Sequence, residues 1–439
     1  MTGRLQQLSS IFSPNAPLQN TQHLMGRRSE LRDTLIGLSS SQDVVPVLVG
    51  PPGMGKTTLL RALSQIFTGN VDLLKDRGLE DCQPDATSVL VLQIRCSREM
   101  LDRDALSRAI LDRMTDVLGR NYASPRIHLK GFEVETSLSI VKLKAAWDIT
   151  PTSPQSPSAE LRERLSSVCR SQGGDVMLLL DECEQLPWIL ELLDYTRSFD
   201  DVKVRFVLAL RDYASYMLAD PSHGDYRWQR RVNLSSLSRL EIEGLFARAS
   251  SELRKLGVVW SLSIEAVNYI QKSSAGEPWY LQMVGSELLL DEDLALEQYV
   301  NAPVTKGNKS VRVSLDMVRQ AEARMVVSSL HNLHAERYLR ICRKAPKTEE
   351  MLRALAHFPG TYIPNRYIEH VRERRIASAG GILRRLSNPD LGPVLTRPTS
   401  PTGTWQFEDH QFRVYCRLAS ATNDLIAEMG REHAESWNA

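Results

Sequence analysis

The sequence predicts an α/β chain: a parallel-sheet core, then a helical domain, then a C-terminal winged helix. Three observations predict it. Strand-length apolar runs at residues 44–49, 89–94, 176–180 and 204–210 alternate with helix-period segments. After about residue 233 the patterns become helical. Towards the C-terminus, three helical segments precede two short strand-like runs that flank a Pro/Gly/Ser/Thr loop. Strands alternating with helices pair in parallel and are covered on both faces.

Each element follows in order. Residues 1–22 are polar, carry Pro14 and Pro17, and read as an arm. Residues 23–233 form the α/β core. Its first helix, 57–67, lines Leu59, Leu60, Leu63, Ile66 and Phe67 on one face. A second, 102–118, lines Leu106, Ile110, Met114 and Val117, with Gly119 as its stop. Period-two alternation around Phe132, Val134, Leu138, Ile140 and Leu143 predicts a β-hairpin insertion over 127–149. Residues 150–158, rich in Pro, Ser and Thr, read as a flexible connector.

A helical lid is expected over 234–314. Ser238 and Glu241 have capping-box spacing, Ile242, Leu245, Phe246, Ala249 and Leu253 line one face, and Gly257 ends the helix. Two more helices, near 264–272 and 279–290, complete an all-helical domain. Residues 315–439 read as a linker helix and the winged helix, with strands at 394–397 and 404–408 and a last helix from about Asp409.

Composition narrows the function classes. The 439 residues suit two to four domains of about 150 residues each. Lys+Arg (54) and Asp+Glu (53) nearly cancel, so no overall field demands nucleic acid or an anionic membrane. The start carries no signal-peptide core, and no apolar run approaches the ~18 residues of a membrane span. The six cysteines are far apart and form no CxxC pair, which argues against zinc or a disulfide framework. A reducing cytoplasm and no membrane contact are the expectation.

Gly50-Pro51-Pro52-Gly53-Met54-Gly55-Lys56-Thr57 matches G-x-x-x-x-G-K-[ST] in full, between an apolar strand and a helix. Such a loop turns backbone N–H groups around a phosphate, and the helix N-terminus adds its positive end. Lys56 would reach the β- and γ-phosphates, Thr57 would ligate Mg²⁺, and Thr58 follows in the same nucleotide-binding run. The run 176–180 ends in Asp181-Glu182. In a parallel sheet that end sits beside the phosphate loop, where Asp181 would hold the metal and Glu182 would deprotonate the attacking water. Glu184 reads as a surface acid. The run 204–210 ends in Arg211-Asp212. Arg211 either stabilises charge at the γ-phosphate or is a solvated arginine paired with Asp212.

These features resemble an AAA+-type P-loop ATPase, specifically the branch shared by STAND ATPases and origin-initiator-like archaeal and bacterial ATPases. Two further segments carry the resemblance. Leu24-Met25-Gly26-Arg27 is similar to the motif that lies over adenine in that family, which implies nucleotide contacts from Gly26 and Arg27. Gly276-Glu277-Pro278 resembles the STAND GxP motif, which implies a base contact from Pro278; it also reads as a helix-capping glycine followed by a proline. The stretch Trp279-Tyr280-Leu281-Gln282-Met283 lacks the arginine that origin initiators carry there.

The resemblance implies ATP and Mg²⁺ as cofactors, ATP hydrolysis as the reaction, and a homo-oligomer in the ATP state. The leading expectation is a molecular switch that controls a protein partner. An alternative is a DNA-handling ATPase that assembles on duplex DNA, with Arg374, Arg375, Arg384, Arg385 and Arg397 of the winged helix on phosphates. A third is a nucleotide-gated scaffold with negligible turnover. Arg227, Arg230 and Arg231 are candidates for an arginine finger.

Overall fold

The structure, a computed structural model, describes residues 10–13, 26–40, 44–83, 90–123, 156–172, 174–211, 214, 218, 229–290, 309–342, 346–358, 362–375, 379–388, 394–397 and 402–418. The described residues fall into two units: those of 18–50 and 56–234, and those of 1–17, 51–55 and 235–439.

In the first unit, five strands are described: β1 (Val45–Val49), β2 (Leu90–Arg95), β3 (Val176–Asp181), β4 (Val204–Leu210) and β5 (Gln229–Asn233). They form one parallel sheet in the order β2-β3-β4-β1-β5. All six residues of β3 are buried, as are all five of β1, which is why both read as unbroken apolar runs. The edge strand β2 alternates buried with half-buried or exposed residues, and β5 buries only Val232. Helices α1 (Arg28–Ser40), α2 (Lys56–Phe67), α3 (Arg103–Ala123) and α4 (Pro157–Gln172) accompany the sheet. Helix α2 packs on β2, β3 and β4.

Register matters most here. Val49 is level with Leu210, and Arg95 with Asp181. Because the strands are parallel, the C-terminal tips of β1 to β4 share one edge of the sheet.

Two expectations change in this unit, and a third is untested. Gly119 does not stop its helix, because α3 continues to Ala123; one glycine costs a helix only about 1 kcal/mol, which flanking turns absorb. The connector expected over 150–158 gives way to α4 at Pro157, a residue suited to a first helical turn. The hairpin expected at 127–149 lies outside the described residues.

The second unit contains α5 (Arg239–Lys255), β6 (Val258–Leu262), α6 (Ile264–Ser274), α7 (Pro278–Leu289), β7 (Lys309–Val313), α8 (Leu315–Met325) and α9 (His331–Cys342), with a π-helical turn at Val326–Leu330 before α9. Ser238 and Glu241 exchange both hydrogen bonds of a capping box. The all-helical lid is corrected: β6 and β7 pair in parallel. Then come α10 (Pro346–Ala356), β8 (Ile363–Pro364), α11 (Asn365–Arg375), α12 (Ala379–Leu386), β9 (Leu395–Thr396), β10 (Thr404–Phe407) and α13 (residues 410–418). Here the expected two-stranded ribbon is a three-stranded antiparallel sheet, β8-β10-β9. Trp405, Phe407 and Phe412 are buried in it or against it.

The polar arm also departs from expectation. Ile11 and Phe12 are buried in the second unit. The Phe12 ring lies 5.9 Å from Phe246 and 6.4 Å from Trp260, and a Cβ at Gly285 would fall 2.4 Å from it. Ser13 N donates to Gln282 Oε1 at 2.9 Å, and Arg248 Nη2 donates to Ile11 O at 3.2 Å. Phe12→Ala is expected to cost this unit about 3–5 kcal/mol. Urea unfolding followed by tryptophan fluorescence checks it; an unchanged midpoint would mean that the arm is not seated.

Candidate functional site

The phosphate loop leaves β1 at Val49 and enters α2 at Lys56. Gly53 (φ 81°) and Gly55 (φ 90°) both adopt left-handed backbone, which L side chains resist. Alternation of that kind turns successive N–H groups towards one concavity. Gly50 N donates to Leu210 O at 3.3 Å, so the loop's start is tied to the tip of β4. Pro51 and Met54 are buried, and Thr58 is buried in the first turn of α2.

Lys56 is buried, and its Nζ donates to Gly50 O at 2.6 Å. Burial pulls its amine down to about 8; Glu184 and then Asp181 oppose that pull. The ammonium therefore stays protonated at pH 7. Thr57 Oγ1 donates to Asp181 Oδ2 at 2.6 Å, which joins the loop to the tip of β3. Asp181 is 4% exposed, and its other oxygen accepts from Glu182 N at 3.0 Å. Burial raises its carboxyl above the ordinary value, partly offset by the Thr57 hydroxyl.

Glu182 has φ 56°, the left-handed region, and a 3₁₀ turn (Cys183–Gln185) follows it. Its carboxylate accepts two hydrogen bonds from Arg95, from Nε at 2.9 Å and Nη2 at 2.8 Å. Arg95 ends β2, level with Asp181. Sequence reading missed it, although a polar residue closing an apolar run is the signal that marked Asp181 and Arg211.

Glu184 is corrected from a surface acid to a buried one: its side chain is 3% exposed. The turn after Glu182 folds it back. Arg211 Nε lies 3.1 Å from Glu184 Oε1, and Arg211 N donates to Oε2 at 3.3 Å. Arg211 thus pairs with Glu184; Asp212 lies outside the described residues.

The remaining predicted residues are dispersed. Gly26 (φ 66°) and Arg27 (φ 64°) precede α1; Leu24 and Met25 lie outside the described residues. Arg27 is buried, and its Nη1 donates to Glu30 Oε1 at 2.7 Å. Arg230 Nη2 donates to Asp33 at 3.1 Å, and Arg231 Nε donates to Asn233 at 2.7 Å; Arg227 lies outside the described residues. Arg374 and Arg375 close α11, Arg384 and Arg385 are exposed on α12, and Arg397 lies over the Trp405 ring at 4.5 Å.

In the second unit, Gly276 has φ 76°, and a Cβ there would meet Leu237 O at 2.4 Å. Pro278 opens α7 with Glu277 as its N-cap. Glu277 is buried. Its Oε1 lies 2.6 Å from His410 Nδ1 and 3.5 Å from Arg413 Nη1, both on α13. Burial alone would raise this carboxyl; His410, then Arg413 and Arg417, hold it below its ordinary value.

The donor set of the first unit fits a nucleotide with Mg²⁺. A helix start and a protonated lysine suit phosphate oxygens. Thr57 and Asp181 offer two hard oxygen ligands, the small protein share that Mg²⁺ takes beside phosphates and water.

Residues 40–218 match the family described as an AAA domain. No curated protein matches the chain. Among solved structures, the chain is similar to Cdc6p from Pyrobaculum aerophilum at 15% identity and TM-score 0.40, covering 95% of this chain and 98% of that one. It is similar to the ORC2 protein of Aeropyrum pernix, solved as ADPNP–ADP complexes, at 13% identity and TM-score 0.43, covering 91% and 93%. It is also similar to the Thermotoga maritima RuvB Holliday junction branch migration motor at 14% identity and TM-score 0.38, covering 88% and 93%.

The Glu277 carboxylate yields a pH prediction. Its folded value lies below its unfolded value, so its stabilisation is complete above about pH 4.3 and is lost as pH falls through the folded value. Glu277→Gln should cost about 3–5 kcal/mol at pH 7, because His410 and Arg413 lose their anion. The gap between variant and parent should narrow below pH 4. Unfolding free energies from pH 2 to 7 check both statements; a pH-independent gap would contradict them.

Proposed function

We propose, on the premise that residues 40–218 are an AAA domain of the P-loop ATPase class, that the chain binds ATP with Mg²⁺ and hydrolyses it slowly to drive a conformational switch. The observation that carries this reading is the Thr57–Asp181 hydrogen bond beside buried Lys56. It joins the phosphate loop to the acidic strand tip where a metal-bound triphosphate needs both.

Lys56 binds phosphate oxygens as a fixed cation, and the amides of Gly53, Met54 and Gly55 orient the same oxygens. Thr57 and Asp181 hold the metal. Bound Mg²⁺ supplies neutralisation of the charge that develops between the β- and γ-phosphates. Glu182 orients a water and takes its proton as the water oxygen attacks the γ-phosphorus. The bond to the β–γ bridging oxygen breaks, giving ADP and phosphate. Arg211 supports the equatorial charge. Gly26 and Arg27 are proposed at the base, on the motif that they resemble.

Arg95 sets the resting state. Both Glu182 oxygens accept from its guanidinium, so Arg95 competes with a water for the carboxylate. Slow basal turnover, released by a partner or by self-assembly, follows from that pair. We place the chain near the STAND and origin-initiator-like ATPases on the motifs at residues 24–27 and 276–278. A second reading, assembly on duplex DNA, draws on exposed Arg384, Arg385 and Arg397 in the C-terminal unit.

Lys56→Ala should abolish ATP binding. Glu182→Gln should bind ATP yet lose about 10²-fold or more in kcat. Arg95→Ala should raise basal turnover several-fold. Equilibrium binding and steady-state hydrolysis, with and without duplex DNA at two salt concentrations, test these. Full turnover in Glu182→Gln would remove that residue from the mechanism. Stimulation by DNA that fades with salt would select the second reading.

A further inference from the structure

We propose that Glu184 is a positioning residue that grips Arg211 beside Lys56 and so holds the β4-tip arginine ready for the γ-phosphate. This rests on the ATPase reading given above, and it assigns a role to a residue outside the P-loop and the Asp181-Glu182 pair.

The grip has two points on one residue. One Glu184 oxygen takes the Arg211 Nε side, and the other accepts from the Arg211 backbone amide. The amide contact fixes where the side chain starts. The Nε contact fixes the plane of the guanidinium. Arg211 directly follows Leu210, whose carbonyl accepts from Gly50 N, so the gripped residue is referenced to the first glycine of the phosphate loop.

Burial makes the grip directional. A carboxylate 3% exposed persists only where a cation faces it. Arg211 is that cation. An arginine held in this way loses little side-chain entropy when phosphate arrives. Asp181 and Glu182 do not serve here: the first is engaged by Thr57 and the second by Arg95.

The test compares Glu184→Gln, Glu184→Asp, Arg211→Ala and the Glu184→Gln/Arg211→Ala double variant in the full chain. Calorimetry measures Mg²⁺-dependent affinity for ATP and for ADP, and steady-state kinetics separates kcat from KM. Glu184→Gln and Arg211→Ala should each lower kcat about tenfold or more. Each should reduce the preference for ATP over ADP by a similar factor, with ADP affinity unchanged. The double variant should be no worse than Arg211→Ala, and Glu184→Asp should recover part of the loss. Effects that multiply in the double variant would overturn the proposal. So would a Glu184→Gln protein that melts lower but keeps its kcat and its ATP-to-ADP ratio, because Glu184 would then serve folding alone. Should Glu184→Gln not fold, Glu184→Asp paired with Arg211→Ala decides the same coupling. A parent protein that binds neither nucleotide would defeat the ATPase reading itself, an outcome distinct from binding with independent Glu184 and Arg211 effects.

Discussion

A buried ammonium is the constraint on which the phosphate-loop region depends. Lys56 is 8% exposed and stays cationic at neutral pH, so the fold must supply fixed dipoles and anions around it. The parallel sheet does this with residues far apart in sequence. Gly50 comes from the end of β1, Asp181 and Glu184 follow from the end of β3, and Arg211 at the end of β4 pairs with Glu184. Only a parallel arrangement puts the C-terminal ends of all these strands on one edge, and antiparallel pairing would send every second tip to the opposite side. The same constraint explains why the apolar strands are so uniform. A corner crowded with charge leaves β1, β3 and β4 to provide the adhesion, and each is buried nearly throughout.

The second unit applies the inverse device. There the buried charge is an anion, Glu277, and it is faced from the last described helix by His410 and the Arg413 guanidinium. Glu277 is also the N-cap of α7, where the helix dipole favours a carboxylate. The residue immediately before Pro278 is therefore tied to α13, about 130 positions later in the chain, by charge and not by apolar contact alone. A shift of the Gly276-Glu277-Pro278 segment away from α13 would part a buried carboxylate from His410 and Arg413.

Much of this was legible in the sequence because it rests on local pattern. Strand-length apolar runs, the phosphate loop and the Ser238 capping box are short-range statements, and the observed elements start and end close to them. What escaped depends on tertiary placement. Glu184 sits three residues after Asp181 in a run of acids, and its burial follows from the left-handed backbone at Glu182 and the tight turn after it. The β6–β7 pair joins segments about 50 residues apart by a crossover, which no window of local periodicity reports. Ile11-Phe12 is a two-residue apolar pair in a polar arm, too short to show a period, and its burial depends on the space that Gly285 leaves.

The two Arg–Glu pairs at the sheet edge look alike in sequence and differ in physics. Arg95 is 77% exposed and Glu182 35%, so water can replace either partner and the pair is worth little on balance. Glu184 is 3% exposed and Arg211 35%, so parting them would strand a buried carboxylate. One pair is built to exchange partners and the other to persist. That division matches the work each glutamate would do. A group that must take a proton from water needs to be released at low cost, whereas a group that aims another side chain must not let go. Solvent exposure, set by which strand carries each arginine, is what separates the movable part of the site from its fixed frame.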